Sequence, residues 1–154
     1  MKFDVAARES SAEIVERLLT GLPEWFEIPE AVHQYVADAA SLPALVAFDQ
    51  AGEPVGVLVH RRHFLESVEI HVMAVARSWH RQGVGRALVD ALVGLAAADG
   101  AQLVSVKTLG PSHPDEGYSN TRRFYRACGF LPVEELHELW GKDNPCLLMV
   151  KPLL

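Results

Sequence analysis

A predicted strand that runs into a glycine-containing turn and then into a long helix limits how this chain can fold more than any other feature. Alternating side chains predict the strand over Ser67–Val75, and leucines at helical spacing predict the helix over Gly83–Ala98. Gly83 and Gly85 fall in the first turn of that helix, and Gly100 follows its end. Strand, turn and helix in this order predict an α/β protein, in which helices cover a sheet.

Short β-rich runs and amphipathic helices alternate along the rest of the chain, with turn residues between them. Together these elements predict one mixed sheet, in the order β-α-α-β-β-β-α-β-α-β-β. Further strands are predicted at Phe3–Ala7, Leu45–Phe48, Val55–His60, Leu103–Thr108, Phe130–Glu134 and Cys146–Lys151, and further helices between Ser11 and Gly21, at Pro29–Ala40 and at Ser119–Cys128. No linker or repeat divides the 154 residues, so we expect a single domain over residues 1–154.

Charge and cysteine content narrow the functional class. The chain has 14 Lys and Arg against 20 Asp and Glu, a net charge of −6, whereas a protein that neutralises many phosphates needs a basic surface. We therefore expect no nucleic-acid partner. Cys128 and Cys146 lie outside any CxxC pattern, which favours reduced, buried thiols. The sequence has no secretory signal after Met1 and no apolar run near the roughly 20 residues that span a bilayer, so we expect a cytoplasmic protein without membrane contact.

The turn at Gly83 has the properties of an anion site. The first N–H groups of a helix lack a partner within it, and the helix dipole adds partial positive charge there. Glycines let a ligand approach that backbone closely, and residues 76–90 hold three arginines against one aspartate, a local sum of +2. These properties suit a pyrophosphate. A P-loop is excluded because the sequence has no Gly-Lys-Ser/Thr, and a GxGxxG fingerprint is excluded because Leu88 stands at its third glycine.

Two motifs resemble those of one enzyme superfamily. The segment that contains Gly83 and Gly85 resembles motif A of the GNAT N-acetyltransferases, which reads Gln/Arg-x-x-Gly-x-Gly/Ala and binds the pyrophosphate of acetyl-CoA. His80 replaces the Gln or Arg at its first position. Downstream, Thr121–Phe130 resembles the family's Ala-x-x-Phe-Tyr-x-x-x-Gly-Phe block. Tyr118 stands where the family often has asparagine, so no asparagine role is carried over.

The resemblance implies a GNAT fold, with a mixed sheet of about seven strands flanked by about four helices. It implies an N-acetyltransferase that uses acetyl-CoA as cosubstrate, needs no metal and transfers the acetyl group directly, through a tetrahedral intermediate, to the amine of a small molecule or peptide. Dimers are common in the family, so a homodimer is one expected state. The residues expected to bind acetyl-CoA are Met73, Val75, His80, Arg81, Gln82, Gly83, Val84, Gly85 and Arg86.

Three side chains are candidates for moving protons during transfer. Strand alternation places Glu69, His71, Met73 and Val75 on one face of the strand. Some family members have a glutamate base six residues before the hydrophobic residue that ends this strand, as Glu69 stands to Val75. We therefore expect Glu69 to accept the amine proton, with His71 as the alternative base or relay. The resemblance assigns Tyr125 as the donor to the departing thiolate. The alternative to a catalytic role is, for Glu69, that of a solvated strand residue and, for Tyr125, that of a core residue.

Other interpretations stay open at this point. The donor is acetyl-CoA or another acyl-CoA, and the alternative class is a regulatory module that binds acyl-CoA without catalysis. The His60–His63 segment has no third ligand nearby for a metal, which predicts a solvated hairpin. The loop Leu109–Gly117 is longer than a packing connection requires, so we predict a substrate lid, in which Asp115 and Glu116 would suit a cationic amine.

Overall fold

The computed structural model describes residues 2–26 and 29–153, which form seven strands and four helices. Helices α1–α4 span Ala12–Thr20, Pro29–Ala39, Val84–Ala98 and Glu116–Ala127. Strands β1–β7 span Phe3–Arg8, Ala44–Asp49, Pro54–Phe64, Ser67–Val75, Leu103–Leu109, Leu131–Leu136 and Cys146–Pro152, and a short 3-10 helix spans Arg77–Trp79. The order of the elements is the predicted one.

Over these residues the strands form one mixed sheet in the order β1-β2-β3-β4-β5-β7-β6. Strand β1 pairs antiparallel with β2, β2 with β3, and β7 with both β5 and β6. The seven-stranded sheet with four helices confirms the predicted fold. None of the helices within the described ranges is long and apolar enough to cross a membrane.

The chain divides into two compact units, each of which combines segments that are distant in sequence. The first comprises the residues up to 61 together with residues 70–95, and the second comprises residues 62–69 together with those from 96 onward. A single domain over residues 1–154 stays a prediction.

In the first unit, helices α1 and α2 and helix α3 cover opposite faces of the strands. Side chains alternate along β3, so Val57 and Val59 join the α1–α2 core, whereas Gly56 faces Val84 and Leu88 of α3. The core that α1 and α2 share with the strands consists of Val15, Leu18, Leu19, Leu22, Val32, Ala39, Ala44, Val46, Val57, Val59, Val72 and Ala74. The close contact at Gly56 fixes where α3 begins.

In the second unit, helix α4 begins earlier than the predicted Ser119. The Asp115 side chain accepts a hydrogen bond of 3.1 Å from the Tyr118 amide and caps the helix, so Glu116 is its first residue. The loop predicted over Leu109–Gly117 is correspondingly shorter, because β5 continues to Leu109.

Strand β3 also differs from the prediction, since it continues to Phe64 instead of ending at His60. Leu65 and Glu66 alone separate β3 from β4, so the two strands form a hairpin with a two-residue turn. The basic segment at residues 60–63 is therefore strand, and its side chains alternate between faces.

Gly56→Ala should lower the free energy of unfolding by about 1–3 kcal/mol, because the new methyl group would overlap helix α3. A Cβ at this position lies 2.7 Å from Val84 Cγ1 and 3.2 Å from Leu88 Cδ1. Gly94→Ala is the control: its Cβ would have nothing within 4 Å, and helix propensity predicts a gain of about 1 kcal/mol. Urea unfolding measures both changes, and equal stability of the two variants would contradict the close approach of α3.

Candidate functional site

The glycine turn, residues 80–83, connects the 3-10 helix to α3 and bends through two left-handed residues. Arg81 has a φ of 62° and Gly83 a φ of 85°. Turns of this kind point successive backbone N–H groups toward one concave side, a geometry that binds anions. Left-handed backbone costs a non-glycine residue about 1–2 kcal/mol, so the surrounding structure enforces the conformation of Arg81. A Cβ on Gly83 would have nothing within 4 Å, so the space beside the turn is open.

Helix α3 adds backbone amides directly after the glycine turn. A hydrogen bond of 3.0 Å from the Ala87 amide to the Gly83 carbonyl oxygen closes its first turn. The amides of Val84 and Gly85 precede that bond and have no acceptor within the helix. Together with the helix dipole, they form an N-terminus of the kind that binds phosphate groups.

His80 holds the glycine turn to the end of β4. Its Nε2 donates a hydrogen bond of 2.7 Å to the Val75 carbonyl oxygen, and its ring meets Trp25 edge to face at 5.9 Å. His80, at the first position of the motif, therefore helps to fix the backbone of the turn. Contact between His80 and a cosubstrate stays a prediction.

Arg77 contributes less positive charge to the turn than the sequence count indicates. Its guanidinium forms an ion pair with Glu24, including an Nη2–Oε1 hydrogen bond of 2.6 Å, and lies 3.4 Å from the Gly21 carbonyl oxygen. The hydrogen bond from Arg77 lowers the pKa of the exposed Glu24 carboxyl. The other two arginines of the segment, Arg81 and Arg86, are exposed.

The last residues of β4 alternate as the sequence predicts. Val72 and Ala74 are buried in the core of the first unit, whereas His71, Met73 and Val75 are half-buried. The face expected to meet acetyl-CoA is thus the one that the core leaves partly open.

His71 lies against helix α2. Its Nε2 is 2.8 Å from Asp38 Oδ2, and the Tyr35 ring meets the imidazole edge to face at 5.6 Å. Gln34 Nε2 donates to the other carboxylate oxygen of Asp38 at 2.9 Å. Burial alone would raise the pKa of Asp38, but the hydrogen bonds from Gln34 and His71 outweigh it and leave that pKa below its ordinary value.

Glu69, in the second unit, is buried between two basic side chains. Lys107 Nζ donates to Oε2 at 2.7 Å, and His63 Nε2 lies 2.7 Å from Oε1. Burial alone would raise the pKa of Glu69, yet the hydrogen bonds from Lys107 and His63 leave it below its ordinary value. The side chain is 8% exposed, so this is an ionised, paired carboxylate and not a solvated one.

Tyr125 is buried on α4 among aromatic rings. The Phe124 and Phe130 rings meet it edge to face at 5.3 and 5.4 Å. Burial raises the pKa of the Tyr125 phenol far above its ordinary value, so the hydroxyl is protonated at neutral pH. This packing is that of a core tyrosine that retains its proton, and its part in acetyl transfer stays a prediction.

Three polar side chains that the sequence did not assign to these groups complete them. Asp38 lies 33 residues from His71, while His63 and Lys107 lie 6 and 38 residues from Glu69. A usable signal existed for Lys107, because it is the one charge in the apolar segment Leu103–Leu109 and a buried charge needs a partner. Asp38 and His63 gave no such signal.

The described residues also bear on metals and thiols. Within residues 2–26 and 29–153, no three His, Cys, Asp or Glu side chains come together as metal ligands would. Cys128 and Cys146 are buried thiols that form no disulfide with each other, and burial raises the pKa of Cys146.

Residues 40–132 match a sequence model of the acetyltransferase (GNAT) domain. The chain belongs to the GNAT family of acetyltransferases. It is therefore an acyltransferase, the enzyme class that the two motifs predict. The match includes the glycine turn, all of β4 and Tyr125. None of the curated proteins matches this GNAT chain in sequence.

Solved structures share the fold of this GNAT protein. A protein from Desulfovibrio desulfuricans assigned to the GNAT family has a TM-score of 0.82 at 19% identity, over 99% of this chain and 100% of its own. An aminoglycoside 6'-N-acetyltransferase complexed with coenzyme A has a TM-score of 0.74 at 21% identity, over 100% and 98%. A GNAT acetyltransferase from Elizabethkingia anophelis with acetyl-CoA bound has a TM-score of 0.71 at 18% identity, over 97% of both chains.

Glu69→Gln should flatten the acid limb of the stability curve. Because the pKa of Glu69 is lower in the folded than in the unfolded chain, its ionised form stabilises the fold above the unfolded pKa, 4.5, and that stabilisation is lost as the pH falls through the folded pKa. The variant should lose about 1–3 kcal/mol at neutral pH and decline less steeply in acid.

Glu66→Gln changes an exposed glutamate at the turn of the same hairpin and serves as the matched control. Urea unfolding from neutral to acidic pH gives the three curves. Parallel curves for Glu69→Gln and the unchanged protein would contradict the ion pairs of Glu69.

Proposed function

We propose that this GNAT protein transfers the acetyl group of acetyl-CoA to the amine of a small molecule or peptide. The observation that carries the proposal is the glycine turn, in which two left-handed residues precede the first amides of α3 inside the matched family domain. Such a turn suits the pyrophosphate of a CoA thioester. In support, two structural neighbours contain coenzyme A or acetyl-CoA.

The residues at the turn fit that group. The amides of Gly83, Val84 and Gly85 would hold the pyrophosphate, and the open space beside Gly83 leaves room for its oxygens. When bound, acetyl-CoA supplies an acyl group already activated as a thioester. The residues proposed to bind it are Met73 and Val75 on β4, His80, Arg81, Gln82 and Gly83 in the turn, and Val84, Gly85 and Arg86 at the start of α3.

The acceptor amine must lose a proton before it attacks. An alkyl amine with a pKa near 10.4 is neutral in roughly 1 of 2,500 molecules at pH 7, a deficit of about 4.6 kcal/mol. Two side chains are the proposed candidates for accepting that proton, Glu69 and, as the alternative, His71. Its ion pair with Lys107 makes Glu69 a weak base, so a proton would reach it through His63, which is bonded to the carboxylate and 41% exposed.

Tyr125 is the proposed donor to the departing thiolate. A phenol with an ordinary pKa near 10 already holds its proton more tightly than a thiol with a pKa near 8.5, and burial of Tyr125 widens that gap. The hydroxyl would therefore donate a hydrogen bond as negative charge develops on sulfur, without giving up its proton.

Acceptor choice is proposed to lie with α1, α2 and the loop at residues 110–115. A cleft of about 620 Å³ in the first unit has apolar walls that include Leu19, Phe26 and Val36, and this volume is typical of small-molecule sites. In the loop, the Ser112 hydroxyl donates to Glu135 at 2.7 Å. The predicted lid contains two carboxylates, Asp115 and Glu116. Because Asp115 caps α4, Glu116 is the one proposed to attract a cationic amine.

A cationic small-molecule amine is the favoured acceptor. The net charge of −6 would attract a cation, and one structural neighbour is an aminoglycoside 6'-N-acetyltransferase. We further propose that the chain acts as a single catalytic domain in the cytoplasm. It would have no nucleic-acid partner, and a homodimer would be one of its assembly states.

The function is tested by measuring the free thiol released from acetyl-CoA in the presence of monoamines, polyamines, aminoglycosides and peptides. We expect release with at least one cationic amine. No release with any of them would contradict acetyl transfer to amines.

Gly85→Glu should abolish both thiol release and CoA binding, because it places a carboxylate against the pyrophosphate. Gly94→Glu adds the same charge at an open position farther along α3 and should retain both. Isothermal calorimetry with CoA measures binding directly. Normal affinity in Gly85→Glu would show that the glycine turn is not the site.

Tyr125→Phe should lower kcat by about 10²-fold, because a hydrogen bond to the leaving group is lost. Acetyl-CoA affinity should stay nearly unchanged, and the melting temperature should too, since phenylalanine keeps the ring packing with Phe124 and Phe130. Turnover equal to that of the unchanged protein would assign Tyr125 to the core alone.

A further inference from the structure

We propose that His71 is the general base of the acetyl transfer and that Asp38 is the positioning residue that holds it. This inference deepens the proposed function and rests on it. The two side chains join α2 to β4 through a bond of 2.8 Å between Asp38 Oδ2 and His71 Nε2. Their side chains are 19% and 18% exposed, so the pair is sheltered and still reachable from solvent.

Asp38 stands where a helix by itself disfavours a carboxylate. It occupies the last turn of α2, next to the negative end of the helix dipole, and that turn holds no basic residue. Hydrogen bonds from Gln34, one turn earlier, and from His71 offset this penalty. A carboxylate at the unfavourable end of a helix, with hydrogen bonds that offset the electrostatic penalty, is typical of functional sites.

The imidazole of His71 is fixed from two directions. Asp38 engages Nε2, and the Tyr35 ring packs edge to face at 5.6 Å. A carboxylate only accepts hydrogen bonds, so neutral His71 carries its proton on Nε2 and presents its lone pair at Nδ1. Arg61 also acts on this pair, because its charge lowers the pKa of Asp38.

The partners of His71 and Glu69 have opposite effects on proton uptake. A proton taken by His71 creates an imidazolium that faces the Asp38 carboxylate, an attraction across 2.8 Å. A proton taken by Glu69 removes the charge that pairs with Lys107 at 2.7 Å, so it loses an attraction. The electrostatics therefore favour His71 as the base and make Glu69 a structural anion.

The proton balance of the step is complete. Nδ1 of His71 takes one proton from the substrate ammonium and releases it to solvent. The nitrogen lone pair then forms the N–C bond to the acetyl carbonyl carbon and gives a tetrahedral intermediate, from which the C–S bond breaks. The second proton leaves the nitrogen as the amide forms, and the thiolate sulfur acquires one proton, so that an amide, a free thiol and one solvent proton result.

The kinetic test is the pH profile of kcat/KM for His71→Gln and Asp38→Asn, with an amine that reacts. His71→Gln should lower kcat by about 10²-fold or more and remove the limb that titrates the base, with little change in KM. Asp38→Asn should lower kcat less, and Asp38→Glu should restore part of it. His137→Gln, which follows β6, and Asp90→Asn on α3 change exposed residues and serve as matched controls. An unchanged profile in His71→Gln, or loss of the limb in Glu69→Gln instead, would overturn the inference.

Nitrogen-15 NMR of the imidazoles tests the pairing without any turnover, with the His71 signals assigned from their absence in His71→Gln. The unchanged protein should show neutral His71 protonated at Nε2, and Asp38→Asn should mix the two tautomers. A tautomer that does not respond to Asp38→Asn would overturn the positioning role. Absence of thiol release with every amine would instead count against the proposed function, which keeps the two failures distinct.

Discussion

Helix α3 packs at its first residue against a glycine of β3, and the geometry of the glycine turn depends on that contact. Val84 begins the helix, and its side chain reaches over Gly56, where no side chain holds the helix away. At the other end of the turn, His80 bonds to the carbonyl oxygen at the end of β4. Between these two fixed ends, the backbone passes through left-handed conformations at Arg81 and Gly83.

Much of this fold was predictable because its signals are local. Hydrophobic periodicity and turn residues gave the element order, and the glycines gave the start of α3. The errors arose where a local pattern is ambiguous: Asp115 has the composition of a loop but caps a helix, and the basic residues before Phe64 continue β3. The partners of His71 and Glu69 were not predictable, since contacts across 33 and 38 residues depend on how the chain folds.

Two paired carboxylates, Asp38 and Glu69, show that residue type alone does not assign a role. Both have a pKa held below the ordinary value by hydrogen bonds. Glu69 is bonded to an ammonium group and stabilises charge that is already present. Asp38 is bonded to an imidazole and would stabilise a charge that appears when a proton is taken up. The partner of each carboxylate therefore indicates its role: pairing with an ammonium group is structural, whereas pairing with an imidazole can position a general base.

The left-handed conformation of Arg81 has a consequence for the energetics of ligand binding. Hydrogen bonds within the chain hold both ends of the turn in this unfavoured backbone state, from His80 to the Val75 carbonyl oxygen and from the Ala87 amide to the Gly83 carbonyl oxygen. A ligand that binds there orders little additional chain, so its association loses little conformational entropy. The conformational entropy of the turn is thus lost once, when the chain folds, and is not lost again in each cycle of binding and release.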